Sequence, residues 1–247
     1  MKLVVLMKRL PDLVEDLEVD DSGKALDAEF LKFTLNEFDD HALEEALLLK
    51  EATAGELTVV AVDGEEVDKM LFTALAKGAD SALKITGVGA ITSTSQLARV
   101  FTQALEGRSS DLILTGVQAA DDRDSQLAPT VAALLDAPCI EVVTGVEVED
   151  GKVVVHKEYA GGVLAEFEVD PPAVLGIQAA RQTPRYAPVS KVRQIQQEAT
   201  IETVAAGGGE AAAFEVVRMT PPETGAGAEM LGNVDELVKV LESKGAF

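Results

Sequence analysis

The residues best suited to chemistry in this chain are three carboxylates at the start of one helix. Asp121, Asp122 and Asp124 follow an apolar stretch that begins at Leu112, and a helical run ending at Leu135 comes after them. α/β proteins hold phosphates where a strand leads into a helix, because unpaired backbone N–H groups and the helix dipole point there. Carboxylates should repel a phosphate at that place, so this acidic turn needs a further explanation.

Two interpretations of the acidic turn stay open on the residues alone. Aspartates in a first helical turn stabilise the helix dipole by about 0.3–1 kcal/mol each, and such capping requires no ligand. Alternatively, backbone N–H groups from Arg123 to Leu127 bind a phosphate, and Arg123 offsets the local negative charge. The carboxylates then accept hydrogen bonds from ribose hydroxyls or an adenine amino group, which suits a mononucleotide better than a triphosphate.

Other residues with catalytic potential are few. The two histidines, His41 and His156, have no second ligand at metal spacing, which argues against a zinc site. The single cysteine, Cys139, follows a proline without a basic neighbour in sequence, so we expect a buried structural thiol. The sequence contains no nucleophile elbow, P-loop or glycine-rich dinucleotide fingerprint. This pattern favours a binding or carrier role over catalysis.

Composition narrows the class of partner. The net charge of −22 over 247 residues argues against nucleic acid or an anionic membrane surface. No apolar run approaches the roughly 20 residues of a membrane span, and the N-terminal segment is typical of a first strand rather than a signal peptide. One cysteine fits a reducing compartment, so the expected location is cytoplasmic.

The elements that position the acidic turn follow from hydrophobic periodicity. In the first half, apolar strands such as KLVVLM, ELTVVAV and DLILTG alternate with helical segments, which predicts a parallel sheet covered on both faces. After Pro138 the apolar residues alternate, with turn signals at EDG and AGG, which predicts antiparallel hairpins. The predicted fold class is α/β: a Rossmann-like, doubly wound, mainly parallel sheet with added hairpins and a C-terminal arm.

The C-terminal part of the chain has a different character. Residues 179–195 are punctuated by prolines and show no clean period, and residues 196–232 are rich in Ala, Gly and Glu. A short helix with Asn233 as N-cap and Gly245 as C-cap closes the chain. An arm without its own core needs another surface to lie on, either on a partner subunit or on the same domain.

Five segments, taken together, carry a family resemblance. They read, in order, KLVVLMKRLPD, LNEFDDHALEEALLLKE, TALAKGAD, GVQAADDRDSQLAP and TPRYAPVSKV. They are similar to the first strand, the Asn-Pro-Phe-Asp segment with its helix, a helix end, the nucleotide loop and the partner-docking loop of one family. The chain therefore resembles the β subunit of electron-transfer flavoproteins along nearly its whole length.

This resemblance implies a heterodimer with an α subunit, one FAD at the subunit interface, and an AMP in the β subunit. It implies electron carriage from acyl-CoA or other flavin dehydrogenases to a quinone oxidoreductase or similar acceptor, with Phe38 near the flavin. Residues 1–195 would form the nucleotide-binding domain with a docking loop at 179–195, and residues 196–247 an arm on the α subunit. Matching positions give the nucleotide contacts as Leu6, Asn36, Glu37, Phe38, Asp39, Asp63, Gly116, Val117, Gln118, Ala119, Ala120, Asp121, Asp122, Arg123, Asp124, Ser125, Gln126 and Leu127, and the partner contacts as Arg185, Tyr186, Val189 and Lys191.

Departures from the family pattern leave alternatives. Glu37 replaces a proline, Leu13 stands where some members have a tyrosine near the flavin, and Val117 replaces a basic residue. Relatives that bifurcate electrons hold a second FAD in place of AMP and oxidise NADH there. Arg123 should crowd a longer dinucleotide, which favours AMP. A lone adenine-nucleotide module of the universal-stress type is a third possibility, and the C-terminal arm argues against it.

Overall fold

The computed structural model describes all residues except Phe30, Ala90, Thr92, Arg123, 208–214, Thr224, Ala226 and Phe247. Strands and helices alternate through most of the described chain. In order they are β1 (Lys2–Met7), β2 (Arg9–Pro11), β3 (Phe33–Leu35), α1 (Glu37–Thr53), β4 (Glu56–Val62), α2 (Val67–Lys77), β5 (Ser81–Thr86), α3 (Thr94–Ala104), β6 (Leu112–Gly116), α4 (Leu127–Leu135), β7 (Cys139–Glu149), β8 (Lys152–Tyr159), β9 (Val163–Val169), β10 (Ala173–Ile177), α5 (Val189–Glu198), β11 (Glu202–Ala205) and α6 (Val234–Ser243).

One large sheet organises the structure. Its strand order is β11-β5-β4-β1-β6-β10-β7-β8-β9. The pairs from β11 to β7 are parallel, and the β7–β8 and β8–β9 pairs are antiparallel. The predicted α/β class, the mainly parallel sheet and the added hairpins are therefore confirmed. The chain runs outward from β1 through β4 to β5 and then returns to β6 on the opposite side of β1, which makes the β1–β6 junction a topological switch point.

The central strands are apolar on both faces because helices cover both. In β1, Leu3, Val5 and Met7 pack with the side chains of α1 and α2, whereas Val4 and Leu6 pack with those of α3 and α4. This arrangement explains why β1 reads as a continuous apolar run rather than an alternating one. These two apolar layers, one on each face of the sheet, hold β1 and β6 together, so their carboxyl ends lie side by side.

Three helices end or begin at residues suited to capping. Ser93 caps α3 by accepting a hydrogen bond from the Gln96 backbone N–H, and Gly78 ends α2 with a φ of +130°. Asn233 caps α6 through the backbone N–H of Glu236. The C-cap of α6 is Lys244, one residue before the predicted Gly245, which itself has a φ of +70°. No helix in the described part of the chain is both long and apolar enough to cross a membrane.

The segment after β10 differs from its prediction. Instead of an irregular loop through residue 195, the chain enters helix α5 at Val189, directly after Pro188. A proline before the first helical residue is compatible with a helix start, since it removes no N–H from the helix interior. Ile195 packs against the core beneath α1 and α2. The apolar spacing is too sparse for the periodicity to show in the sequence.

The chain divides into two compact units. One unit comprises residues 1–17 and 29–215, and it extends beyond 195 because β11 pairs with β5 as an edge strand. The other comprises residues 18–28 and 216–247. It contains the Val19–Leu26 bridge, a hydrogen bond from the Met219 N–H to the Gly23 carbonyl, and α6, which has no buried residue.

Candidate functional site

Asp39 joins the carboxyl ends of β1 and β6 at the switch point. Its Oδ2 accepts a hydrogen bond from the Lys8 backbone N–H, and its Oδ1 accepts one from the Gly116 backbone N–H, both at 2.7 Å. A Cβ at position 116 would lie 2.5 Å from Asp39 Oδ1, so only glycine allows the close approach. Burial raises the pKa of Asp39 to about 7, although the two backbone hydrogen bonds oppose that shift.

Lys8 supplies the positive charge that the acidic turn requires. Its Nζ lies 2.7 Å from Asp121 Oδ1 and 2.7 Å from Asp122 Oδ2. Burial disfavours the ammonium, but the hydrogen bonds and charges of the two aspartates outweigh it and raise the pKa of Lys8. Sequence reasoning assigned this role to Arg123, which lies outside the described residues. The signal that could have indicated Lys8 is its position as the first cation after β1.

The rest of the turn is held by short polar contacts. Asn36 donates from Nδ2 to the Gln118 carbonyl at 2.9 Å, which ties the start of α1 to the turn. Asp124 accepts from Thr94 Oγ1 at 2.7 Å and from the Gln126 backbone N–H at 3.1 Å. The side chain of Gln126, the N-cap residue of α4, makes no capping hydrogen bond. Asp124 thus organises the turn, and the N-terminus of α4 stays available to an anion.

A narrow cleft gathers most of the predicted contacts. It is lined by Lys8, Asn36, Asp39, Gly116, Gln118, Ala119, Asp122, Asp124, Ser125, Gln126 and Leu127. The other predicted residues that the structure describes are not part of its lining: Leu6 belongs to the core, Asp63 follows the end of β4, and Glu37, Phe38, Val117, Ala120 and Asp121 are neighbours in sequence of lining residues. The cleft has a volume of about 10 Å³, room for about one water molecule. Its donors and acceptors suit a mononucleotide, whose entry would require the turn to open.

The predicted docking residues separate into anchored and exposed groups. Arg185 forms ion pairs with Glu44 at 2.8 Å and with Glu51 at 2.5 Å. Its positive charge is therefore balanced by carboxylates of the same chain. In contrast, Tyr186 is 79% exposed and Val189 is 59% exposed. Lys191 is also exposed. The structure therefore presents three of the four predicted residues at the surface and uses Arg185 to hold their segment on α1.

Neither histidine has the surroundings of a metal ligand. His41 Nδ1 accepts a hydrogen bond from the Ala180 backbone N–H at 3.2 Å, and His156 Nε2 lies 3.7 Å from Glu166. No cluster of three His, Cys, Asp or Glu side chains that could hold a metal occurs in the part of the chain that the structure describes. Cys139 is partly rather than fully buried, and this burial together with the nearby charge of Glu141 raises its pKa to about 12.

Comparison with known proteins extends the likeness to nearly the whole chain. The chain is 33% identical to the electron transfer flavoprotein subunit beta of Methylophilus methylotrophus, over 100% of both chains. It is 31% identical to the subunit of the same name from Bacillus subtilis, over 98% of this chain and 96% of the relative, and 32% identical to that of Mus musculus, over 84% and 82%. The family model described as the electron transfer flavoprotein domain matches residues 26–208. The chain therefore belongs to the electron transfer flavoprotein family.

Proposed function

We propose that this chain is the β subunit of a heterodimeric electron-transfer flavoprotein. In this role it carries electrons from acyl-CoA or other flavin dehydrogenases to a quinone oxidoreductase or similar acceptor, in the cytoplasm. The observation that carries the proposal is the polar junction at the β1–β6 switch point, where Asp39, Lys8 and the acidic turn meet. Relatives named as beta subunits align over the whole chain, which supports the same role here.

The junction supports AMP as the nucleotide of this subunit. The unblocked start of α4 would take the phosphate, and Lys8 is the cation beside it. Asn36, Gln118 and the aspartates would accept or donate hydrogen bonds to ribose and adenine. Either nucleotide would require the turn to open, and AMP, the shorter ligand, requires the smaller opening.

The FAD is proposed to bind between this chain and an α subunit, where it would supply the one-electron chemistry. Phe38 lies in the first turn of α1 and is the residue of this chain expected to contact the flavin. Apolar side chains at the surface support a partner subunit: Leu164 and Phe167 on β9 are 54% and 37% exposed, and Leu134 on α4 is 42% exposed. A second chain that packs on β9 and α4 would remove these side chains from water.

Counting nucleotides in the purified protein tests this proposal. The assembly should co-purify with a second chain and release one FAD and one AMP per pair when it is denatured. Quantification by chromatography with flavin fluorescence and adenine absorbance gives both numbers from one sample. Two FAD and no AMP would support the electron-bifurcating alternative instead, and a stable monomer without flavin would contradict both.

A further inference from the structure

Thr94, the first residue of α3, makes a contact that its own helix does not require. Helix α3 is already capped, because Ser93 accepts a hydrogen bond from the Gln96 backbone N–H at 3.2 Å. The hydroxyl of Thr94, a buried residue, instead donates to Asp124 Oδ2 at 2.7 Å, 30 residues further along the chain. This hydrogen bond joins the start of α3 to the acidic turn.

Asp124 uses its other oxygen within the turn. Its Oδ1 accepts a hydrogen bond from the backbone N–H of Gln126, two residues further on, at 3.1 Å. Ser125, the residue between them, has a φ of +54°, in the left-handed region that non-glycine residues rarely adopt. Aspartates that accept from the backbone two residues ahead stabilise turns. The Asp124 carboxylate therefore holds the backbone in a conformation that Ser125 does not favour by itself.

The backbone held in this way leads directly into α4. Gln126 is the N-cap residue of that helix, and Ser125, Gln126 and Leu127 line the nucleotide cleft. The N–H groups at the start of a helix bind a phosphate only when they point toward it, and the backbone that precedes the helix sets their direction. Thr94 is not one of the residues that line the cleft, so any effect that it has on a nucleotide must be indirect.

We propose that Thr94 is a positioning residue for the nucleotide cleft and acts through Asp124. This inference rests on the AMP site proposed above and extends it to α3, a helix that contributes no residue to the cleft lining. The Thr94 hydroxyl fixes the Asp124 carboxylate, which in turn fixes the left-handed turn at Ser125. That turn directs the N–H groups at the start of α4 into the cleft.

The dipole of α3 offers a simpler way to hold Asp124. A carboxylate beside a helix N-terminus is stabilised by the dipole, whichever side chain the first helical residue carries. That attraction has little directional preference, whereas a hydrogen bond weakens steeply when it is misaligned. Thr94→Val separates the two contributions, because it removes the hydroxyl, retains a similar side-chain shape and leaves the dipole in place.

Hydrogen–deuterium exchange and AMP release, measured on the purified native assembly, test this role. In Thr94→Val we expect the amides of residues 125–127 to exchange, and AMP to dissociate, about tenfold faster, because a hydrogen bond to an ionised group is lost. Thr94→Ser keeps the hydroxyl and should restore both rates. Thr102→Val is the matched control on the same helix and should change neither rate, because the Thr102 hydroxyl donates to the Arg99 carbonyl within α3 at 2.9 Å.

The variant Asp124→Ala shows whether Thr94 acts through the carboxylate. In that background Thr94→Val should have no further effect on exchange, since the acceptor is already absent. Parental exchange in Thr94→Val, no rescue by Thr94→Ser, or an equal effect of Thr94→Val with and without the Asp124 carboxylate would overturn the inference. A parent assembly without AMP would overturn the nucleotide site proposed above, whereas the exchange rates, which require no ligand, would still decide the role of Thr94.

Discussion

Arg185 binds the buried carboxylate of Glu44 with both its backbone N–H and its guanidinium. The Arg185 backbone N–H donates to Glu44 Oε2 at 2.9 Å, and its Nε and Nη2 donate to Glu44 Oε1 at 3.0 and 2.8 Å. Glu44 is only 3% exposed. Because the two residues are 141 positions apart, this one pair fastens the segment after β10 to the middle of α1.

Removing this pair should destabilise the fold. Arg185→Gln leaves the buried Glu44 carboxylate without its charge partner, which costs about 3 kcal/mol in the free energy of unfolding. Urea denaturation followed by circular dichroism measures the loss. Lys191→Gln, an exposed change on the same segment, is the matched control and should stay within about 0.5 kcal/mol of the parent. Equal free energies of unfolding for the two variants would show that the Arg185–Glu44 pair does not stabilise the fold.

Lys8 should control the nucleotide content of the assembly. Lys8→Met removes the cation between Asp121 and Asp122, so the turn becomes more negative and repels a phosphate. We expect at least a fivefold drop in co-purifying AMP, since a charge-assisted hydrogen bond contributes about 1.5–3 kcal/mol. Lys2→Met, at the opposite end of β1, is the control. Unchanged AMP in the Lys8 variant would place the phosphate elsewhere.

Gly116 should tolerate no side chain. In Gly116→Ala the new methyl would lie 2.5 Å from Asp39 Oδ1 and 2.7 Å from Phe38 Cβ, so α1 or β6 must move. Such overpacking costs about 1–3 kcal/mol. Gly89→Ala is the comparison, because no atom of the described residues lies within 4 Å of its added Cβ. Thermal unfolding of both variants distinguishes the outcomes, and a Gly116→Ala protein as stable as Gly89→Ala would contradict the close approach.

Glu141 should make stability depend on pH. Both of its carboxylate oxygens are buried without a hydrogen-bond partner among the described residues, and burial raises its pKa to about 7 despite the opposing charge of Lys157. A folded-state pKa above the unfolded value means that the folded chain prefers the protonated acid. The contribution of Glu141 to the free energy of unfolding is therefore most favourable below about pH 4.5. It becomes less favourable as the pH rises toward 7.

The variant Glu141→Gln isolates this contribution, since Asp39 titrates in both proteins. Urea midpoints at pH 5 and pH 8 should differ less for the variant than for the parent, and the variant should be the more stable protein at pH 8. The same pH dependence in both would mean that Glu141 is charged in the folded chain without penalty.

Val189 should act as a docking residue for the electron donor. It is 59% exposed at the start of α5, beside Tyr186, on the segment that Arg185 anchors. Val189→Ala should slow electron transfer from the partner dehydrogenase by roughly tenfold, because loss of one buried anchor costs about 1–3 kcal/mol. Stopped-flow reduction measures the rate, and flavin content should not change. A parental rate would place the docking surface elsewhere.

Local sequence patterns determined most of the secondary structure. Continuous apolar runs such as β1 and β6, hydroxyl and glycine caps at Ser93 and Gly78, and the turn signals of the hairpins each depend on residues close together in the chain. The parallel sheet with added hairpins follows from these signals, since alternating strands and helices have few ways to pack. The family resemblance could likewise be recognised from the sequence, because it depends only on five short motifs that follow one another in the same order.

Only the tertiary structure decided which charges meet. Lys8 and Asp121 are 113 residues apart, and Arg185 reaches Glu44 across 141. No local pattern encodes such pairs, because they depend on which strands become neighbours and which side of a helix is buried. The same reason explains why the pairing of Arg185 with Glu44 was not predicted from the sequence.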